Sequence, residues 1–234
     1  MASGDITNHL LKLADPKITQ HCQRFFKTAI GEYGYGDKFL GIRVPVIRQS
    51  VKIFNDTSLT HVKRLLKSEY HEIRLFALLM LVAQFSSADD ALQHKIYQLY
   101  LNHTKFINNW DLVDSSAYQI IGVYLENKDR SVLYDLSISP SLWERRISII
   151  ATYHFIKIHQ FKDTLLISEQ LLGDQEDLIH KAVGWMLREV GNRERAPEIR
   201  FLKKHYKLMP RTMLRYAIEK FSKTDRKNYL NGTI

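Results

Sequence analysis

The feature that most restricts the fold is a recurrence. Segments with apolar residues at the i, i+3, i+4 spacing of a helix face begin near His71, Asn109, Leu142, Leu178 and Pro210, at intervals of 38, 33, 36 and 32 residues. In "HEIRLFALLMLVAQF" the stripe is Ile73, Phe76, Ala77, Met80 and Leu81. The stretches "LWERRISIIATYHFI", "DLIHKAVGWMLREV" and "PRTMLRYAIEKF" carry the same pattern. Partner helices are predicted between them, at about 60–68, 89–101, 129–138, 161–172 and 197–207. Valine and isoleucine nowhere alternate with polar residues over a useful length, so no strand is expected. Two helices per unit, repeated without a sheet to cover, predict an all-α fold, an α-solenoid forming one domain over 1–234. Its inner helices would line a concave groove. An orthogonal all-α bundle is the competing arrangement.

Composition narrows the function. The 234 residues include one cysteine, Cys22, so neither an internal disulfide nor a cysteine-based zinc site is available. No apolar run is long enough to span a bilayer, and "MASGDITNHLLKLADPK" lacks the basic-then-apolar order of a secretory signal, which predicts a cytoplasmic protein. The net charge of +9 is uneven: residues 196–234 hold ten Lys/Arg against three acids, +7 of the total. Such a basic end suits a phosphate backbone, where neutralisation releases counterions. No HExxH, metal-spaced Cys/His set, GxSxG elbow or kinase signature is present.

Four glycines crowd into "GEYGYGDKFLGIRVP". The segment lacks the GK[ST] ending of a phosphate loop, and no strand precedes it. Its glycines are expected to permit tight turns, with Pro45 opening the next helix. Tyr33, Tyr35 and Lys38 are candidates for touching a ligand from it.

The densest candidate site is "NNWDLVDSS". Asn108 or Asn109 can cap a helix, and Asp111 then has a structural reason to sit in its first turn. Asp114 lies a turn deeper, on the stripe of Trp110, where an indole beside a carboxylate calls for a compensating cation or ligand. Cations are expected one repeat away on either side, at Arg74 and Arg146. Further along, "HKAVGWMLRE" sets Lys181, Trp185 and Arg188 on one helix face, and Arg211 and Arg215 follow four apart. Across repeats this predicts a basic concave surface with two indoles around one carboxylate.

"NNWDLVDSS", "WERRIS" and "HKAVGWMLREVG", in that order and spacing, resemble the bacterial DNA alkylation-repair glycosylases of the AlkD type, over nearly the whole chain. The resemblance implies HEAT-like repeats and a monofunctional glycosylase, and a monomer suits a solenoid that wraps DNA. Such an enzyme would release 3-methyladenine and 7-methylguanine from double-stranded DNA with neither metal nor cofactor. With the cytoplasmic location expected above, such an enzyme would be nucleoid-associated when bound to DNA. By the same resemblance Asp114 is the catalytic aspartate, and Trp110 and Trp185 cradle the lesion sugar. Arg146 contacts a phosphate, with Arg145 as the alternative. Where the family's well-known member presents a tyrosine to the lesion, "QRFFK" places Phe25, with Tyr33 or Tyr35 as stand-ins. The alternative function is a non-catalytic protein that binds distorted or branched DNA through the same basic groove. Some relatives lack the acidic and aromatic residues, and this chain retains them, which favours catalysis.

Overall fold

The structure, a computed structural model, describes residues 3–234. The chain divides into two compact units, one ending at Ser116 and one running Ala117–Ile234. The first holds α1 (Ser3–Lys12), α2 (Pro16–Phe25), α3 (Val44–Ile53), α4 (Leu59–Leu65), α5 (His71–Ser87), α6 (Asp90–Leu101) and the five-residue α7 (Trp110–Asp114). Helix starts follow the local chemistry. Asp15 accepts from the amides of Lys17 and Ile18 ahead of Pro16, while Ser58 and Asp89 cap α4 and α6. Pro45 sits in the first turn of α3, as expected.

Helix α5 is the core of this unit. The predicted stripe is buried, and so are Leu75, Leu78 and Leu79 on its other faces, because α3, α4, α6 and α7 all pack against it. An amphipathic reading therefore understated its burial. The glycine-rich segment crosses its amino end, tied by an isolated bridge between Lys38 and Tyr70. Among the described residues no strand forms. The Glu72 carboxylate accepts from three successive amides of this segment, Leu40 (2.9 Å), Gly41 (2.7 Å) and Ile42 (3.3 Å). Those amides are therefore engaged by the chain's own carboxylate. Gly41 adopts φ +79°, and a Cβ there would meet the Asp15 carbonyl oxygen at 2.3 Å.

The second unit opens with a π turn, Tyr118–Gly122. It continues through α8 (Ser131–Ser137), α9 (Leu142–Ala151), α10 (Tyr153–Lys157), α11 (Lys162–Gln170), α12 (Asp177–Arg193), α13 (Arg195–His205), α14 (Arg211–Ala217) and α15 (Lys223–Asn231). Helix α12 is its centre, packed by α9, α13 and α14. Helix α14 approaches closely at Gly184, where a Cβ would lie 2.4 Å from the Met213 carbonyl oxygen and 2.5 Å from Tyr216 Cβ. Gly122 stands in the same relation to Ala151 and His154. The helices expected near Asn109, Leu142, Leu178 and Pro210 begin within a residue of those positions, and the partner helices fall between them. The fold is thus all-α and built of helical repeats. No helix among the described residues is long and apolar enough to cross a membrane.

Candidate functional site

A five-residue helix has almost no stability of its own, since nucleation costs more than its few hydrogen bonds return. Helix α7 exists because its neighbours fix it. Leu112 and Val113 are wholly buried beneath it, against α5. Asn109, also wholly buried, accepts from the Trp110 amide at 2.9 Å. At the far end Ser115 and Ser116 turn their hydroxyls back to the Leu112 carbonyl, at 3.4 and 2.6 Å, which favours a bend where the helix stops. Trp110 and Asp114 lie one turn apart on this short element, both half-buried.

The amino end of α7 is held by a buried polar network that local sequence patterns do not announce. Asp37, from the glycine-rich segment, takes Arg74 at 2.7 Å, Asn108 at 3.0 Å, His71 Nδ1 at 3.4 Å and Asn109 at 3.5 Å. His71 Nε2 reaches Asp111 at 2.8 Å. With carboxylates on both ring nitrogens, His71 is an imidazolium donating twice. Burial opposes that charge, but Asp111 and Asp37 outweigh it and raise His71 to about 9. Burial likewise opposes charge on Asp37, whose carboxyl His71, Arg74 and Asn108 hold below its usual range. Arg74, expected as a cation for Asp114, is thus bonded to Asp37 and to the carbonyls of Ser68 and Glu69.

Asp114 has an electrostatic signature inside the unit. Tyr100 is completely buried and lies 3.0 Å from Ser116 Oγ. Because Ser116 gives its own proton to the Leu112 carbonyl, the phenol is the donor of this pair. Burial raises the Tyr100 phenol far above its ordinary value, and the charge of Asp114 adds to the rise.

Aromatic rings surround Trp110. The Phe26 ring stacks at 5.4 Å and Phe25 meets the indole edge-on at 5.9 Å, while Phe25 remains 56% exposed. Phe25, from "QRFFK", thus lies against Trp110. Beside them opens a cleft of about 540 Å³, walled by Phe25, Phe26, Phe39 and Ile42, with Asp111 and Arg43 also lining it. Tyr35 is 63% exposed and Tyr33 half-buried. Lys38 pairs with Glu69 at 2.6 Å on the surface.

In the second unit, Trp185 lies mid-way along α12, half-buried, its indole N–H donating to Glu189 at 3.3 Å. The cations beside it have partners: Lys181 with Asp177 at 2.7 Å, Arg188 with Glu219. Arg146 is buried and donates to the Leu178 carbonyl. Arg145 grips Asp174 at 2.6 Å and the carbonyls of Ser139 and Pro140. Arg211, exposed, donates to the Leu230 carbonyl at 2.5 Å, and Arg215 is exposed without an ion pair among the described residues. Sequence reasoning passed over Tyr118 and Tyr153, whose rings lie 5.2 Å apart, with Tyr153 6.1 Å from Trp185. A usable signal was there, because 118, 153 and 185 are separated by 35 and 32 residues, one repeat each.

A sequence model of the family described as DNA alkylation repair enzyme matches residues 6–221. Among solved structures, a predicted DNA alkylation repair enzyme from Enterococcus faecalis superposes with a TM-score of 0.68 at 13% identity. The match covers 90% of this chain and 97% of that one, a likeness of fold. No curated protein matches the chain in sequence.

Proposed function

The chain belongs to the DNA alkylation repair enzyme family, and we propose that its own reaction is hydrolysis of the N-glycosidic bond joining a positively charged alkylated purine to double-stranded DNA. Alkylation at N3 or N7 makes the purine a cation, which departs as a neutral base. It therefore needs neither a general acid nor a metal to activate it. What it leaves is an electron-poor, oxocarbenium-like sugar, as in glycoside hydrolysis. Asp114 is the residue we assign to that charge: its carboxylate stabilises the developing cation and orients the attacking water. Trp110 offers the electron-rich face of an indole to the polarised C–H groups of the same sugar. Trp185 is assigned the second indole, and Arg146 a phosphate, with Arg145 as its alternative. The remaining exposed or basic candidates, Phe25, Tyr33, Tyr35, Lys38, Lys181, Arg188, Arg211 and Arg215, are assigned contacts to the flanking DNA. The enzyme would work in the cytoplasm, at the nucleoid.

The observation that carries this reading is the immobilisation of α7. Asn108, Asn109 and Asp111 are bonded to Asp37 and His71, so a helix too short to stand alone presents Trp110 and Asp114 in a fixed relation. Stabilising charge in a transition state rewards that kind of preorganisation, because no reorganisation is paid at the moment of reaction.

The test is release of free methylated purines from methylated duplex DNA. Wild type should release them, and Asp114→Asn should be slower by at least about 100-fold with DNA binding retained. Equal rates would remove Asp114 from the mechanism. DNA binding without release by either protein would leave a non-catalytic DNA-binding function.

A further inference from the structure

The cations that flank Trp185 along α12 are neutralised, Lys181 by Asp177 and Arg188 by Glu219. One cation beside the aromatic row is not. Lys157, the last residue of α10, holds its ammonium 5.2 Å from the Tyr118 ring centre and 5.6 Å from that of Tyr153. It is exposed and has no carboxylate partner among the described residues. Tyr153 is half-buried, and its hydroxyl makes no hydrogen bond among the described residues. The ring contact on two faces restrains a side chain that otherwise samples many rotamers, without cancelling its charge.

We propose that Lys157 and Tyr153 form a binding site for a phosphodiester of a DNA strand, a reading that rests on the DNA-repair function proposed above. A phosphate oxygen accepts hydrogen bonds and carries charge; the site offers one uncompensated ammonium and one neutral O–H donor beside it. The row then continues to Trp185, 6.1 Å from Tyr153, whose indole supplies a flat apolar surface suited to an adjoining sugar. A charged and a neutral donor followed by an aromatic face fit a nucleic-acid strand better than a free phosphate, which has nothing to lay on the indole. Glu189, at the indole N–H, is itself faced by Arg188 at 3.8 Å and Arg193 at 3.5 Å, so it does not set a lone negative charge against the strand.

The site is tested by fluorescence anisotropy with a short, undamaged, labelled DNA duplex, titrated with full-length protein at several salt concentrations. Lys157→Ala should weaken binding and lower the slope of log affinity against log salt by about one, the signature of one lost phosphate contact. Lys157→Arg should restore the slope. Tyr153→Phe keeps the ring and its packing, and should weaken binding a few-fold with the slope unchanged, because a neutral donor releases no counterion. Wild-type affinity and slope in Lys157→Ala would overturn the proposal. If that protein still binds DNA and releases methylated purines, only this site falls and the glycosylase reading stands. Failure of the wild type to bind duplex DNA at any salt would overturn both. Tighter, Lys157-dependent binding to duplex RNA than to DNA would overturn the assignment to a DNA strand.

Discussion

Glu198 should make the fold sensitive to alkali. It lies in the first turn of α13, wholly buried, one oxygen taking Arg195 at 2.9 Å and the other without a partner. Burial dominates, and raises the carboxyl from 4.5 to about 8 against the pull of Arg195. A carboxyl raised in the folded state keeps its proton where the unfolded chain has lost it. Its contribution is therefore fully present below pH 4.5, and is lost as pH rises to about 8, where both states are ionised. Each pH unit in that window costs about 1.4 kcal/mol, about 5 kcal/mol if nothing relaxes. Water reaching the carboxylate beside the 41% exposed Arg195 side chain relaxes part of it, leaving an expected difference of about 2–5 kcal/mol. Glutamine has the shape of the neutral acid and does not titrate. Urea unfolding of wild type and Glu198→Gln at half-unit steps from pH 4.5 to 9 should give converging curves at the acid end. At the alkaline end the variant should be the more stable. Parallel curves across the whole range would refute a proton held at this site.

Asp37→Asn leaves Arg74 and the His71 imidazolium with less compensation, and should cost about 3–5 kcal/mol of unfolding free energy, read by chemical denaturation. His71, raised to about 9, contributes stability that is present below pH 6.5 and lost as pH climbs through 9, about 3 kcal/mol in all; an imidazole resonance titrating near 6.5 in the folded protein would contradict it. Trp110→Ala should slow excision about 10-fold or more beyond any loss of folded protein, whereas a lowered melting temperature with the rate intact would make the indole a packing residue. Gly184→Ala should destabilise by at least about 1–3 kcal/mol, because the added methyl meets the Met213 carbonyl rather than a movable side chain; a neutral effect would mean α14 can shift.

Much of the fold was legible because a helix repeats its apolar face every few residues. Leu142 and Pro210 mark helix starts from local information alone. The interior of "NNWDLVDSS" was less legible. Asp37 meets Asn108 across 71 positions and Arg74 across 37, and no local pattern encodes such pairings. The cations along α12 misled for a related reason. Glu219, which neutralises Arg188, stands 31 residues downstream, although Asp177, four before Lys181, was in plain view. Lys157 escaped because its importance lies in two tyrosine rings, one of them 39 residues away. The π turn over Tyr118–Gly122 has no composition that would set it apart from an α-helical turn.

The glycines bear on how mutational tolerance in this protein would be interpreted. In a saturation scan selecting for survival under alkylating agents, Gly122 and Gly184 should be depleted of every alternative. A Cβ at each would strike a backbone carbonyl at 2.4 Å. Gly184 directly precedes Trp185, so with the role proposed for Trp185 a fitness map would show two adjacent intolerant columns with unrelated causes. Only an abundance readout run in parallel would separate them: the glycine variants should vanish from the folded pool, and those altering a residue that touches DNA should persist in it.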